Sequence, residues 1–493
     1  KLKSATLGLG LLGVLTACNF DDYDNVDPKS PLETKSDFLF SNAQKALIDQ
    51  LNSPSVNIQP ARQLVQYWTE TTYMESTVWN LNNRDLPGRH WTVLYRDVLT
   101  DLQEAKIMLE EEKVGLSEEE YNGKSAMISV LEVYTWQWMV DLFGDVPYTE
   151  ALMGEENPQP AYDDAQTIYA DLINRLNGAI EELNKNSGAY YADADLIYKG
   201  SVAEWLKFAN SLKLRMGIRL TGVQPATARQ LVEEAFANAF TSNEDNATFP
   251  YLTGYENGNP IFEQVNTRPT DFVPANTLID KMNALKDPRR PYYFNLWEET
   301  DDDDNVIDSG YKGLAPGISG SIADFSYPSD LMQDVSFPGV YMTYAEVEFI
   351  LAEAAEYGWN VGGTAEDHYN KAIEASISEW ASLAEENADV AINEYLSNPL
   401  VNFQTAEGGD HVKAIALQKW IALYNQAPEA YTEYRRLKWP ELNTPNNRDM
   451  ANYPVRFTYP FSEQSRNVNS WREAVDKIGG VDSYTAPIFW ETK

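Results

Sequence analysis

Apolar side chains recur at helical spacing through most of the chain. From Trp91 to Leu109 they stand three or four residues apart, which places them on one face of a helix. The same spacing runs from Ile128 to Leu142, and Gly144 then marks a helix end. Further helices are predicted over 164–186, 202–221, 226–239, 344–357, 364–386 and 412–426. The pattern is typical of a mostly α-helical protein.

Short polar turns separate neighbouring predicted helices, which favours antiparallel helix pairs. The segments 164–186 and 367–373 resemble the inner helices of tetratricopeptide pairs. Between 240 and 340 the helical spacing fades, Pro, Gly and Asn become frequent, and runs such as 292–297 indicate small strands. The chain from Asn443 onward is similarly loop-rich. The predicted fold is therefore mostly α: a helical scaffold with tetratricopeptide-like helix pairs, plus a long loop-rich insertion with a few short strands.

The first residues have the composition of a bacterial export signal. Lys1 and Lys3 precede an apolar stretch, 5–15, that is too short to span a bilayer. It leads into Leu-Thr-Ala-Cys at 15–18, which resembles the lipobox, where a cysteine that follows small residues is acylated. Cys18 is the only cysteine of the chain. We therefore predict a signal peptide at 1–17, lipidation of Cys18, a tether at 18–36 and one domain at 37–493. The alternative is an ordinary signal peptide with a chance cysteine.

Acidic residues follow the cysteine closely. Asp21, Asp22 and Asp24 form a cluster that resembles the export signal of Bacteroidetes lipoproteins destined for the outer leaflet. A solvated linker is the alternative. We therefore expect a lipid-anchored protein on the outer membrane of a bacterium, facing the exterior.

The charge balance narrows the range of partners. The chain has 75 acidic and 38 basic residues, a net charge of −37. The electrostatic field of such a negatively charged protein repels phosphate backbones and anionic lipid. Nucleic acid is therefore excluded as a partner, and membrane contact is expected through the lipid anchor alone. Neutral ligands, cations and peptides stay open.

The sequence has no residue pattern typical of an active site. His90, His368 and His411 are far apart, and none belongs to a His-Glu-x-x-His motif. No glycine-rich phosphate loop is present, and no cofactor is predicted. A glycosidase needs only two carboxylates, so a lipid-anchored glycosidase stays an alternative. The helical pattern disfavours it, because it indicates neither a barrel nor a deep cleft.

The acidic run 301–305 matches the first half of a calcium-binding loop, with Asp301, Asp303 and Asn305 at alternating positions. Val306 stands where such a loop requires glycine, and Lys312 where it requires glutamate. We predict a solvated hairpin tip, with calcium binding as the alternative.

One tryptophan stands in a polar, amide-rich segment and not on a helical face. Trp79 lies between Tyr73 and Asn82. An aromatic ring beside amides suits a sugar, because the ring stacks on the sugar face and the amides bind its hydroxyls. We predict that Trp79, Tyr73 and Asn82 form one wall of a shallow ligand-binding surface, and that Trp297 or Tyr311 forms another. The alternative for each aromatic is packing against the body of the protein.

Several segments match one protein family in order and spacing. They are 142–151 (LFGDVPYTEA), 208–216 (FANSLKLRM), 344–354 (YAEVEFILAEA), 418–420 (QKW), 433–436 (EYRR) and Pro440, followed by Pro454, Arg456, Tyr459, Pro460, Glu463 and Asn467. Together with the lipobox, they resemble the SusD/RagB family of Bacteroidetes outer-membrane lipoproteins over essentially the whole mature chain.

The resemblance implies a mostly α-helical domain with tetratricopeptide-like pairs. It also implies a partner, a SusC-like TonB-dependent transporter, over which the lipoprotein acts as a lid. The implied role is capture of a nutrient oligomer without catalysis. Oligosaccharide is the expected cargo, and oligopeptide is the alternative within the same role. Because the matching segments belong to the scaffold, the candidate ligand-binding residues rest on their chemistry alone.

Overall fold

Helices form most of the chain, as the apolar periodicity predicts. The computed structural model describes residues 34–491 apart from 56–57 and 268–271. Cys18, the predicted signal peptide and most of the predicted tether lie outside the described residues. The α-helices are α1 (Ser36–Asn52), α2 (Ala61–Leu64), α3 (Leu86–Thr92), α4 (Thr100–Glu112), α5 (Glu118–Phe143), α6 (Ala165–Lys185), α7 (Val202–Arg219), α8 (Pro225–Ala235), α9 (Pro260–Thr267), α10 (Asn276–Leu285), α11 (Arg290–Tyr293), α12 (Tyr344–Glu356), α13 (Ala365–Leu383), α14 (Asp389–Ser397), α15 (His411–Ala422), α16 (Ala427–Leu437), α17 (Glu463–Arg466) and α18 (Val468–Lys477). A π-helical stretch, Val93–Leu99, joins α3 to α4.

Side-chain caps fix the ends of the scaffold helices. At the start of α5, Oγ of Ser117 accepts a hydrogen bond from the backbone N–H of Glu120 (3.1 Å). At the start of α13, Thr364 and Asp367 form a reciprocal capping box. Helix α5 ends at Gly144, whose φ of +78° favours glycine. At these positions the local sequence defines where α5 and α13 begin and where α5 ends.

The helices pack as pairs that are adjacent in sequence. Helix α5 packs on α6, α7 on α8, and α12 on α13. The last two pairs are joined by the short connections 220–224 and 357–364. The predicted helical scaffold of tetratricopeptide-like pairs is confirmed. None of the described helices combines the length and the apolar composition needed to cross a bilayer.

Two arginines of α7 are buried among carboxylates at the centre of the scaffold. Arg215 donates to both carboxylate oxygens of Glu346 (2.7 and 2.8 Å). Arg219 donates to Glu429 (2.8 and 2.9 Å) and to Glu433. Burial lowers the pKa of Arg219, but the surrounding carboxylates, Glu429 foremost, outweigh burial and raise it. Both arginines therefore stay charged in the interior.

Glu433 and a further buried carboxylate, Glu353, bind cations from two other helices. Lys419 of α15 donates to Glu433 (2.6 Å). Arg436 of α16 donates to Glu433 (2.7 Å) and to both oxygens of Glu353 (2.6 Å each). We call these eight residues the buried charge network: Arg215, Arg219, Glu346, Glu353, Lys419, Glu429, Glu433 and Arg436. It ties α7, α12, α15 and α16 together, and most of its members belong to the segments that carry the family resemblance.

The strands are short and pair two by two in antiparallel fashion. They are β1 (Trp68–Glu70) with β3 (Phe272–Pro274), β2 (Ala247–Phe249) with β8 (Gly339–Met342), β4 (Phe294–Asn295) with β7 (Tyr327–Pro328), and β5 (Trp297–Thr300) with β6 (Val306–Gly310). The predicted hairpin is confirmed, because 301–305 forms the turn between β5 and β6. The insertion is less irregular than predicted, since it also contains α9 and α10. Both are short and stand among Pro, Gly and Asn residues, which hide their periodicity.

Candidate ligand-binding site

Tyr73 projects into solvent beside a cavity of about 500 Å³. Its side chain is 74% exposed, and its φ of +53° is unusual for a bulky residue. The other residues that line the cavity are Met74, Glu75, Val78, Gly317, Asn446, Asn447 and Arg448. A left-handed backbone at a bulky residue is strained, and such strain is concentrated at functional sites.

Three loops that are distant in sequence build the cavity. The N–H of Gly320 donates to the carbonyl of Thr71 (3.3 Å), and the N–H of Asn446 donates to the carbonyl of Pro316 (3.3 Å). Gly317 allows this close approach. A Cβ at that position would stand 2.8 Å from the backbone nitrogen of Asn446, and its φ is +77°. The loops 71–80, 314–320 and 443–448 are therefore held together by backbone contacts.

Trp79 lies under this surface and does not form part of it. It is 2% exposed, and its ring packs edge-on against Tyr453 with 5.5 Å between centroids. The structure therefore contradicts the prediction that Trp79 forms a wall of the ligand-binding surface, and agrees with the alternative of packing against the body of the protein. With a φ of +63°, the side chain of Trp79 is directed inward, toward Tyr453, which lies far away in the sequence. Trp79 anchors the loop that presents Tyr73.

A buried glutamate supports the same loop. The Glu70 carboxylate accepts hydrogen bonds from the N–H (3.1 Å) and the hydroxyl (3.2 Å) of Thr77. Burial raises the pKa of Glu70 to about 7, although the Thr77 hydrogen bonds act to lower it. On the cavity wall, Glu75 pairs with Arg84 (2.9 Å). These contacts fix the backbone on both sides of Tyr73 and Met74.

The remaining predicted ligand residues lie elsewhere. Asn82 is half-buried, and its side-chain amide oxygen accepts a hydrogen bond from the hydroxyl of Thr458 (2.9 Å). The indole N–H of Trp297 donates to the carbonyl of Ala323 (2.9 Å), and Lys312 lies 4.0 Å from the centre of its ring. Tyr311 is half-buried beneath the guanidinium of Arg290. Of the predicted residues, only Tyr73 lines the cavity.

Sequence reasoning missed the other lining residues, among them Asn446, Asn447 and Arg448 from a distant loop. The side chains of these three residues are exposed and form no hydrogen bond with any other described side chain or backbone group. They are therefore free to bind a ligand. A signal was present, since Pro-Asn-Asn-Arg at 445–448 has the same amide-rich character as the segment around Trp79.

The cavity has the chemistry of a binding site for a polar, ring-shaped molecule. It combines an exposed aromatic ring with two amides, a guanidinium and a carboxylate. Glycoside hydrolysis requires two carboxyl groups that flank the bond, and Glu75 is the single carboxylate among the described lining residues. Over residues 34–491, outside the two gaps, no group of three or more His, Cys, Asp or Glu side chains is placed to hold a metal ion.

Comparisons with known proteins agree with this architecture. Residues 28–460 match the SusD-like family, described as starch-binding and associating with the outer membrane. A solved chitin-binding protein is 25% identical, with a TM-score of 0.81 over 93% of this chain and 100% of its own. A SusD homolog from Bacteroides uniformis is 26% identical, with a TM-score of 0.76 over 92% and 100%. A chitin-binding SusD homolog from Flavobacterium johnsoniae is 25% identical, with a TM-score of 0.74 over 92% and 99%. No curated protein sequence gives a significant match.

Proposed function

Since the chain belongs to the SusD-like family, we propose that it captures a nutrient oligosaccharide at the cavity beside Tyr73. The exposed tyrosine at the rim of this cavity is the observation that carries the proposal. A tyrosine stacks on the face of a sugar ring, and the amides of Asn446 and Asn447 offer donors and acceptors for hydroxyl groups. The family description and the chitin-binding relatives support glycan as the ligand class.

The proposal includes a place for the protein in uptake. We infer that a lipid on Cys18 holds it at the outer membrane, facing the exterior, and that it passes its cargo to a SusC-like TonB-dependent transporter. A binding protein that delivers its cargo unchanged has no need of catalytic groups, so we propose that it is not an enzyme. The single carboxylate among the described lining residues fits that role.

Replacement of Tyr73 tests the ligand assignment. Purified protein is titrated calorimetrically with starch and chitin oligosaccharides and with oligopeptides of similar length. Tyr73→Ala should weaken glycan binding about tenfold or more, because a stacked aromatic contributes about 1 kcal/mol or more. The reaction mixtures are also assayed for new reducing ends, and none should appear.

Phe461→Ala is the matched control. Phe461 is an exposed aromatic that does not line the cavity, so its loss should leave glycan affinity unchanged. Equal affinities for wild type and Tyr73→Ala would remove Tyr73 from the site. Binding of peptides alone would replace the oligosaccharide assignment, and release of reducing ends would make the protein a glycosidase.

Cys18→Ser tests the anchor. The variant should lose incorporation of a palmitate analogue and appear outside the membrane fraction, because the acyl chains supply the membrane affinity. The experiment is carried out in a bacterium that processes lipoproteins. If the wild-type protein takes up no label, the lipobox interpretation is wrong, whatever the outcome for the cavity.

A further inference from the structure

A second cavity, of about 380 Å³, lies between the β2–β8 pair, the C-terminal end of α13 and the segment after α15. It shares no lining residue with the cavity beside Tyr73. Its volume is in the range of small-molecule sites. Its lining includes Asn246, Phe337, Pro338, Glu379, Trp380 and Asn425.

The lining of this cavity has negative charge and no described positive charge. Glu244 and Glu379 are its charged side chains, and no Lys, Arg or His is among the lining residues. Glu244 is exposed at the rim, whereas Glu379 is half-buried in the wall. The strongly negative net charge of the protein also favours the approach of a cation.

Among the described residues, Glu379 has no cationic partner of the kind that the carboxylates of the scaffold have. One hydrogen bond to a described residue reaches it, from the side-chain amide of Asn246 to Oε1 (3.2 Å). Burial raises its pKa to about 7, against the lowering effect of that hydrogen bond. A glutamine would accept the same hydrogen bond without the desolvated charge. The fold therefore does not require a carboxylate at this position, whereas the binding of a cationic ligand would require one.

The rest of the wall suits the organic part of such a ligand. Trp380 and Phe337 supply aromatic surface, which attracts cations as well as apolar groups. The Phe337–Pro338 segment is fixed by hydrogen bonds from the side-chain amides of Asn259 (2.6 Å) and Asn425 (3.3 Å) to its carbonyl groups. The cavity is therefore held open by polar contacts that do not involve Glu379.

We propose that this cavity binds a small organic cation through a primary ammonium group, with the Glu379 carboxylate as its counter-ion. An ammonium donates up to three hydrogen bonds and accepts none, which matches a carboxylate beside hydroxyl and amide oxygens. The site is separate from the proposed oligosaccharide site and does not depend on it.

A series of ligands with one carbon skeleton tests the proposal. Purified full-length protein is titrated calorimetrically with 1,5-diaminopentane, 5-aminopentanol and 1,5-pentanediol at about pH 8, above the pKa of Glu379. Both amines should bind and the diol should not. Glu379→Gln should weaken amine binding about tenfold or more, which corresponds to the loss of a charge-assisted hydrogen bond. Tyr73→Ala should leave amine binding unchanged.

Two further variants separate the site from general charge effects. Glu374→Gln removes the same charge from an exposed position on the same helix, so it should bind amines as wild type does. Glu379→Asp keeps the charge and should keep the preference for amine over diol. The proposal is wrong if neither amine binds the wild-type protein, if the diol binds as tightly as the amines, or if Glu379→Gln and Glu374→Gln behave alike.

Discussion

Charged side chains at the centre of the helical scaffold are largely buried and paired, whereas those that line the cavity beside Tyr73 are half-buried or exposed. In the scaffold, Arg219 is fully buried and bound to Glu429 and Glu433. At the cavity, Arg448 is exposed and pairs with no described carboxylate. The backbone conformation differs as well. The residues of the charge network lie in regular helices, whereas the cavity is lined by loop residues, some of which, such as Tyr73, have a left-handed backbone.

This difference separates stability from binding. A buried ion that loses one partner is left uncompensated in a medium of low dielectric constant, so substitutions in the network destabilise the fold. Replacement of an exposed loop residue changes the free energy of unfolding little. The residue at such a position can therefore vary with the ligand that is bound. The scaffold therefore constrains the sequence, whereas the loops leave room for different cargoes.

The largest effect is expected for Arg219→Ala. The substitution leaves Glu429 and Glu433 buried with fewer cations, which should lower the free energy of unfolding by about 3–5 kcal/mol. Urea unfolding followed by circular dichroism measures it. Arg229→Ala is the control, because Arg229 forms an exposed pair with Glu233 (2.9 Å) on one helix and should change stability little. Equal effects of the two variants would contradict the distinction between scaffold and surface.

Trp79→Ala should have the next largest effect. Loss of a buried tryptophan from its contact with Tyr453 should lower the free energy of unfolding by about 3 kcal/mol. Tyr73→Ala, six residues earlier, should leave the thermal melt almost unchanged. Melts of both variants, beside the binding titrations, place each residue in the core or at the surface. If the Trp79→Ala protein is as stable as wild type but loses glycan affinity, Trp79 contacts the ligand and is not a core residue.

Sequence reasoning was sufficient for the scaffold because its determinants are local. Apolar spacing and caps such as Ser117 lie within the helix they define. The family segments match in order and spacing, and the structure supplies a physical reason for this match. Arg215, Lys419 and Arg436 belong to those segments and are three of the four cations of the buried charge network.

The candidate site was predicted only in part because its contacts are not local. The chemistry of its segment predicts Tyr73, which lines the cavity, but Trp79 fills a core space beside Tyr453, which no nearby residue reveals. Asn446 and Asn447, which line the cavity together with Tyr73, belong to a loop near the other end of the chain. Two polar loops show no mutual periodicity, so their approach follows from tertiary packing alone.

The smallest effect is expected at the β5–β6 hairpin, whose acidic tip is the extreme case of an exposed loop. The Asp301 carboxylate already accepts hydrogen bonds from the N–H groups of Asp303 and Asn305 (2.9 Å each). These bonds, with that of the Asn305 side chain, lower the pKa of Asp301. The carboxylate therefore has a structural role within the turn that needs no cation.

We expect EDTA and millimolar calcium to leave Tm unchanged in scanning calorimetry. Asp303→Ala serves as the comparison, because it removes a neighbouring carboxylate but keeps the N–H bond to Asp301. A calcium-dependent rise in Tm that disappears in Asp303→Ala would show instead that this loop gains order by binding a ligand.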